Sequence, residues 1–324
     1  MEEPIDLLAA PKPLDPEQVR EKALALCGAS DADVMLINGS CFNDLEDKAL
    51  DVLRNRGANE SRPKKLVFVL ATPGGSPDVA FRIGRAIQNT YDYSEALVAG
   101  WCKSAGTMLL ITANTLVMSD EAELGPLDIQ LAKRDEIDER DSGLVISEAL
   151  DNLEHYAFRF FDSFMRQIKD HSQGLVTLKT ASDIASSVAK GLFEPIYRQI
   201  DPQKIGEVAR SMAVGRAYGQ RLNVRPKNLA PRALENLLMG YPSHSFVIDR
   251  DEAQRLFRSV RPPSSAENEL LIELGSLATT PCREPVVLLF EAKEESHEDK
   301  PEARAVPATG RQVRPASRSR QKPR

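Results

Sequence analysis

The chain has 324 residues, of which 42% are apolar and 28% charged, and it carries a formal net charge of −6. This length accommodates one large domain with additions, or about two domains, around a sizeable core. Four cysteines without a CxxC pair argue against a structural zinc site and a disulfide framework, and no apolar run approaches the roughly 20 residues that span a bilayer. The N-terminus lacks the basic region of a secretory signal, so a reduced, cytoplasmic location is expected.

The net charge hides an asymmetry between the body of the chain and its C-terminal end. Seven basic and no acidic residues lie between Arg304 and Arg324, and the rest of the chain therefore carries −13. An acidic body repels phosphate backbones, so no specific nucleic-acid partner is expected. The basic end is predicted to be a solubilising tail, with binding to an acidic partner or a membrane surface as the alternative.

The first elements in chain order are a helix and two strands. Residues 1–14 contain three prolines and are predicted to form a loose arm. Asp15 followed by proline is typical of a helix start, and this helix is predicted to reach about Cys27. Continuous apolar runs at 34–37 and 66–70 predict buried strands, with a helix at about 45–53 between them.

The alternation of strands and helices continues to Met118. An amphipathic helix is predicted after residue 76, with Val79, Ile83 and Ile87 on one face. Strands at 96–99 and 115–118 enclose a short helix. This order is typical of βαβ units, and the predicted fold class is therefore α/β with a mostly parallel sheet.

Helices dominate the next part of the chain, after a charged loop predicted at 133–142. Three helices are predicted. The first runs from about 146 to 168, the second begins at Thr180 with a capping-box-like pattern, and the third begins at Asp201–Pro202. A strand with the apolar run 246–248, followed by a helix, is predicted at 244–257. The run 285–290 is the last apolar one, and the polar, proline-rich chain from Glu291 onward is predicted to be disordered.

The first segment with chemical potential is the turn Thr72-Pro73-Gly74-Gly75, which lies between a predicted strand and the amphipathic helix. Two glycines let the backbone turn with its N–H groups exposed, and a helix N-terminus adds positive potential. Such a loop can hold an oxyanion. The same residues are also typical of a plain strand–helix turn.

The second segment, Trp101 to Thr107, again joins a strand to a helix and has Ser104 at the junction. Ligands of open α/β sheets bind at this carboxyl edge of the strands. The amide of Ala105 is a candidate oxyanion donor, and the small residues after Ser104 leave room for a substrate backbone. The alternative is that Ser104 only caps the following helix.

Together these segments resemble the Clp-fold serine proteinases. The resemblance rests on the PGG loop, the amphipathic helix, the next strand, Ser104-Ala105-Gly106-Thr107 and Leu124-Gly125-Pro126-Leu127-Asp128. Related families are the proteolytic subunit of the Clp protease, signal-peptide peptidases of the protease IV type and archaeal stomatin-operon proteases. The stretch from Tyr241 to Asp249, with Gln199–Pro202 upstream, is most similar to the serine dehydrogenase proteinase family. The resemblance covers roughly residues 30–262.

The resemblance implies a Clp/crotonase-like ββα spiral core, peptide or protein substrates, and assembly into a homo-oligomer. By position in the motifs, Ser104 is the implied nucleophile, and Gly74, Gly75 and Ala105 are the implied oxyanion-hole residues. No cofactor and no metal are expected. The predicted organisation is an N-terminal arm and helix (1–30), a peptidase-like domain (31–262), a C-terminal extension (263–290) and a disordered, basic-ended tail (291–324).

The general base is at neither of the positions that these families use. In the Clp subunit the base is a histidine in the strand after the nucleophile helix, and the matching segment Glu123–Pro126 contains no histidine. In the other families the base is a lysine, and the matching window, centred on 144–156, contains no lysine. His244 precedes a predicted strand–helix unit that corresponds to the source of the third triad member in the Clp subunit. It is the first candidate for the base, with a structural histidine as the alternative.

Other titratable residues are weaker candidates. His155 is the second candidate base, although its polar helix face also fits an exposed histidine. Lys133 is the third, with a solvated loop lysine as the alternative. Asp128 either orients the base or binds its own turn. Four further residues are expected to have no catalytic role. His171 is expected at a solvated helix end and His297 in the tail. Lys103 is expected to point away from the serine, and Asp249 is expected to be a helix N-cap.

Three functions are compatible with this pattern. The first is an intracellular serine peptidase that acts through a Ser104 acyl-enzyme. The second is a crotonase-like acyl-CoA enzyme that uses the same two amides to stabilise a thioester enolate. The third is a catalytically inactive Clp-fold scaffold that binds peptides. The chain has no nucleotide-binding motif, so ATP-driven unfolding would require a separate ATPase, and a membrane partner is a further alternative.

Overall fold

The computed structural model describes residues 15–59, 63–127, 130–132 and 140–292. These residues belong to one compact unit of the chain. The predictions for the arm 1–14, the charged loop over 133–139, Asp128, Lys133, His297 and the tail from residue 293 lie outside the described residues.

A six-stranded sheet forms the centre of the fold. The described strands are β1 (Ala32–Asn38), β2 (Lys65–Ala71), β3 (Tyr93–Val98), β4 (Trp101–Cys102), β5 (Thr115–Met118), β6 (Glu123–Leu124), β7 (Gln130–Ala132), β8 (Arg140–Ser142), β9 (Val260–Arg261) and β10 (Val286–Phe290). The main sheet has the order β10-β1-β2-β3-β5-β9, while β4 pairs with β6 and β7 with β8. Within the main sheet only β10 runs antiparallel to its neighbour. The predicted α/β class with a mostly parallel sheet is therefore confirmed.

Helices cover both faces of this sheet. The described helices are α1 (Pro16–Ser30), α2 (Asn43–Gly57), α3 (Pro77–Thr90), α4 (Ala105–Leu110), α5 (Gly143–His171), α6 (Leu178–Tyr197), α7 (Pro202–Asn223), α8 (Ala233–Met239), α9 (Arg250–Leu256), α10 (Ser265–Leu274) and α11 (Ser276–Thr279). No helix in the described parts of the chain combines the length and the apolar character that a membrane crossing requires.

The two faces of the sheet form two apolar layers, because successive side chains of a strand point to opposite sides. Met35 and Phe68 belong to the layer that α2, α3 and α4 cover. Val34 and Val67 belong to the opposite layer, with α1 and α10. The central strands are apolar on both faces for this reason, which is why their sequence shows continuous apolar runs rather than alternation.

The helix starts that were predicted from capping residues are confirmed, with one shift. Asp15 and Asp201 accept hydrogen bonds from the first backbone amides of α1 and α7, and each precedes a proline, as predicted. The α6 helix begins three residues before the predicted start at Thr180. The Thr177 side chain is its cap and accepts a hydrogen bond from the Thr180 amide, 3.1 Å away.

The predicted strand at 246–248 is replaced by a turn. Ser243 accepts hydrogen bonds from the amides of Ser245 and Phe246, at 3.2 and 3.1 Å, and these bonds close the backbone instead of extending it. Phe246 and Val247 are half exposed. Only Ile248 pairs, as a single bridge to Leu124.

The C-terminal strand returns to the first strand of the chain. β10 pairs along its whole length with β1. Just after it, the Ala292 amide donates to the buried carboxylate of Asp33, and Glu291 binds Arg56 at 2.9 Å. The described chain thus stays attached to the sheet for two residues past Phe290.

Candidate active site

A cavity of about 430 Å³ opens at the carboxyl edge of the parallel sheet. It lies where β2 and the β3–β4 region end, and where α3 and α4 begin. Among its lining residues are Gly75, Ser104, Ala105 and His244. Most of the site residues predicted from the sequence therefore face one cavity.

Backbone hydrogen bonds hold the two predicted site loops against each other. The Thr72 amide donates to the Trp101 carbonyl (2.8 Å), and the Lys103 amide donates to the Thr72 carbonyl (3.0 Å). On its other side the glycine loop is tied to Cys41, which donates to the Gly74 carbonyl and accepts from the Ser76 amide, both at 2.8 Å. These contacts fix the glycine loop relative to Ser104.

Ser104 has a strained backbone. Its φ of 51° and ψ of −114° lie near the first central position of a type II′ turn, a region that glycine dominates. Such a conformation costs on the order of 1–3 kcal/mol in a non-glycine residue and is typical of functional sites. Its side chain makes no capping hydrogen bond to α4. The capping interpretation therefore has no support, and the hydroxyl is left at the cavity wall.

Gly74 brings the glycine loop into direct contact with the serine. A Cβ on Gly74 would lie 2.8 Å from the Ser104 Cβ and 3.3 Å from the Ala105 amide nitrogen. With φ at +102°, the Gly74 amide donates to the Thr72 hydroxyl at 3.1 Å, inside its own loop. Gly74 therefore shapes the approach of the two loops, and its amide is already engaged.

Gly75 and Ala105 hold the amides that remain available at the cavity. Gly75 has φ at +140°, and a Cβ there would lie 2.6 Å from the Cys41 carbonyl oxygen. Neither amide donates to a backbone carbonyl in the described part of the chain. Unengaged N–H groups near a serine are the donors that an oxyanion hole requires.

Lys103 points away from its neighbour Ser104. Its ammonium group binds the Glu123 carboxylate at 2.8 Å and the Leu124 carbonyl at 3.3 Å. The side chain also packs against Gly125, where a Cβ would lie 3.0 Å from the Lys103 Cδ. This lysine is thus engaged on the far side of the turn.

The His244 loop joins α8 to α9 and is anchored on both sides. Ile248 exchanges two backbone hydrogen bonds with Leu124, at 2.9 and 3.0 Å. The Tyr241 ring packs 4.9 Å from the Phe246 ring, and its hydroxyl donates to Glu252 at 2.9 Å. His244 is half-buried and lines the cavity. It reaches the cavity from an anchored turn rather than from the predicted strand.

The other titratable candidates that the structure describes do not line this cavity. His155 is exposed on α5 beside Tyr156. His171 is exposed at the end of α5, with Nδ1 2.9 Å from the Gln167 carbonyl. The Asp249 side chain accepts from the Glu252 amide at 2.8 Å and is the N-cap of α9, as predicted.

One wall of the cavity was missed by the sequence reasoning. The α7 helix contributes Arg210, Val214 and Tyr218, spaced four residues apart on one face. The Tyr218 hydroxyl donates to Asp78 at 2.5 Å, and this hydrogen bond raises the pKa of Tyr218 above its usual range. The spacing was visible in the sequence, but nothing in it indicated what this helix faces.

Two cysteines lie behind the site loops, and their thiols are unreactive. Cys41 and Cys102 are fully buried. Burial raises the pKa of Cys41 to about 11 and that of Cys102 well above its usual value. Both thiols stay protonated near neutral pH and do not compete with Ser104 as nucleophiles. Within the described residues, no cluster of ligands could hold a metal ion.

Comparisons with known proteins give partial matches. No family model matches the chain. It is 29% identical over 92 residues to an uncharacterised protein of Methanocaldococcus jannaschii; the match covers 28% of this chain and 32% of that protein, so it spans about a third of the relative's length.

Among solved structures, the chain is similar to two mutants of the 1510-N membrane-bound stomatin-specific protease. A serine-to-alanine mutant matches with 15% identity over 46% of this chain and 67% of its own, at a TM-score of 0.28. A lysine-to-alanine mutant in complex with a substrate peptide matches with 13% identity over 81% of this chain and 87% of its own, at a TM-score of 0.39. These structural neighbours are proteases, and membership of the serine dehydrogenase proteinase family stays a prediction.

Proposed function

We propose that this protein is a serine peptidase in which Ser104 attacks the carbonyl of a peptide bond. The observation that carries the proposal is the strained backbone of Ser104 at the wall of a cavity. Strain of this kind persists only where the surrounding structure imposes it. Here it presents a hydroxyl to the cavity, with two available amides next to it.

In the proposed mechanism His244 is the general base. The imidazole takes the proton of the Ser104 hydroxyl as the oxygen attacks, and the Gly75 and Ala105 amides hold the tetrahedral oxyanion. Collapse breaks the C–N bond, and His244 gives its proton to the leaving amine. Water then hydrolyses the acyl-enzyme with the same histidine as base, which releases the acid product and restores the serine.

The two rival functions make less use of the observed site. A crotonase-like enzyme needs the two amides but not a nucleophile, and an inactive scaffold needs neither. Both leave the strain at Ser104 and its missing cap without a purpose. Assembly into a homo-oligomer, a separate ATPase or membrane partner, and a cytoplasmic location are further proposals of this account.

Hydrolysis of a fluorescently quenched, unstructured protein such as labelled casein tests the proposal. Ser104→Ala should reduce the rate to background, and His244→Gln should reduce it by about 10²–10⁴-fold, the range for loss of general acid–base catalysis. His155→Gln is the matched control, because this histidine is exposed outside the cavity, and it should leave the rate unchanged. Full activity of Ser104→Ala would contradict the proposed function, and full activity of His244→Gln would contradict the proposed base.

A further inference from the structure

The α7 wall carries the one arginine that lines the cavity in the described chain. Arg210 and Tyr218 lie on the same face of α7, and eight residues of helix separate them by about 12 Å. Tyr218 is held near α3 by Asp78 and by stacking on Phe81, with the ring centroids 4.3 Å apart. Arg210 is exposed, so it lies toward the open side of this wall.

The acidic side chain that lines the cavity, Asp78, already has interaction partners within the fold. Asp78 lies in the first turn of α3, where the helix dipole stabilises a negative charge. It also accepts the Tyr218 hydroxyl at 2.5 Å. An incoming basic group would have to compete with both of these interactions.

Arg210 differs from the cations around it. Nearby cations form ion pairs with carboxylates of the fold: Arg82 with Glu46 (2.6 Å), Lys103 with Glu123 (2.8 Å) and Arg216 with Glu235 (2.7 Å). In the residues that the structure describes, no carboxylate pairs with Arg210. Arg210 therefore lines the cavity without an ion pair of this kind.

We propose that Arg210 selects substrates that carry a carboxylate near the bond to be cleaved. A guanidinium binds a carboxylate through two parallel hydrogen bonds, which gives both energy and direction. The inference rests on the proposed function, since it places the substrate in this cavity. The carboxylate comes either from an Asp or Glu side chain or from the C-terminus of the peptide.

Binding to the full-length Ser104→Ala protein tests this proposal without any turnover. Fluorescein-labelled polyalanine octapeptide amides with a single Glu, Gln or Lys at each position test the side-chain source. The all-alanine octapeptide with a free or an amidated C-terminus tests the other source. Fluorescence anisotropy gives the dissociation constants. In one of these series the carboxylate peptide should bind about fivefold tighter than its neutral counterpart, as expected for a partly exposed pair.

Variants at Arg210 assign the preference to that residue. In Ser104→Ala/Arg210→Gln the preference for the carboxylate should fall to about one. In Ser104→Ala/Arg210→Glu the preference should reverse. If the recognised carboxylate belongs to a side chain, Lys peptides should bind better than Glu peptides. If it belongs to the C-terminus, the amidated peptide should bind better than the free one. Lys204→Gln is the matched control, because Lys204 is an exposed cation of α7 that does not line the cavity, and it should retain the preference.

Three results would overturn the proposal: equal binding of all peptides, a preference for Lys peptides in the parent protein, or a carboxylate preference that survives Arg210→Gln. Failure of the proposed function gives a different result. The wild type could cleave no peptide while the carboxylate preference still depends on Arg210. That result would support the role of Arg210 and contradict only the peptidase activity.

Discussion

Replacing Gly74 by alanine should displace the nucleophile while Ser104, His244, Gly75 and Ala105 themselves stay unchanged. The added Cβ would lie 2.8 Å from the Ser104 Cβ and 2.9 Å from the Lys103 carbonyl oxygen. Ordinary contact begins at about 3.4 Å, so the two loops must separate by about 0.6 Å. The new side chain also meets a φ of +102°, which costs on the order of 1–3 kcal/mol for alanine.

The expected effect on catalysis follows from that displacement. A shift of about 1 Å in reacting groups costs on the order of 10²-fold in rate, so a shift of about 0.6 Å should cost between tenfold and 10²-fold. The assay is the second-order rate constant for labelling by a fluorophosphonate, which reacts with an activated serine and needs no knowledge of the substrate. Urea unfolding of the same protein gives the stability change separately.

Gly174→Ala separates strain from displacement. Gly174 also has a positive φ, +82°, but nothing lies within 4 Å of the added Cβ. It should lose only the stability that the positive φ costs, on the order of 1–3 kcal/mol, and keep the wild-type labelling rate. Equal labelling rates for wild type, Gly74→Ala and Gly174→Ala would show that the glycine loop does not set the position of Ser104.

Three further predictions concern the nucleophile, the acid stability and the C-terminus. Ser104→Gly should be more stable than Ser104→Ala by about 1 kcal/mol in urea unfolding, since glycine relieves the strained backbone; equal stability would mean that no strain is stored there. Burial raises the pKa of Glu267, but hydrogen bonds from Arg261 and Ser264 outweigh it and leave the pKa below its usual value. A carboxyl group with a lowered pKa contributes stability that is present above pH about 4.5 and is lost as the pH falls through the folded-state pKa. Glu267→Gln should therefore make the free energy of unfolding fall less steeply with decreasing pH. An unchanged acid dependence would contradict this prediction. A chain ending at Ala292 should keep the wild-type free energy of unfolding. A chain ending at Phe290 should lose about 1–3 kcal/mol, because it lacks the Ala292 amide that donates to the buried Asp33. Equal stability of the two chains would contradict a role for this hydrogen bond.

The sheet was predictable because burial on two faces leaves a direct trace in the sequence. Continuous apolar runs marked β1 and β2, and the alternation with amphipathic helices indicated parallel pairing. The glycine loop and Ser104 were predictable for a related reason. Both follow directly after such strands, where the carboxyl edge brings loops together regardless of their distance in sequence.

The rest of the site depends on long-range contacts that sequence spacing does not encode. The α7 wall lies about a hundred residues after Ser104, and its helical period gives a face but not the partner of that face. The turn at His244 had the apolar pattern of a strand, yet Ser243 closes it locally. The engagement of the Gly74 amide by Thr72 likewise depends on a side-chain position that two glycines alone do not determine.

Mapping a covalent adduct shows whether Ser104 is an activated nucleophile. Full-length protein treated with a fluorophosphonate at neutral pH, digested and analysed by mass spectrometry, should carry one phosphonyl group on Ser104. Ser104→Ala should carry none, while His155→Gln should label like the wild type. An adduct on another residue, or no adduct on a folded wild type, would show that Ser104 is not the nucleophile.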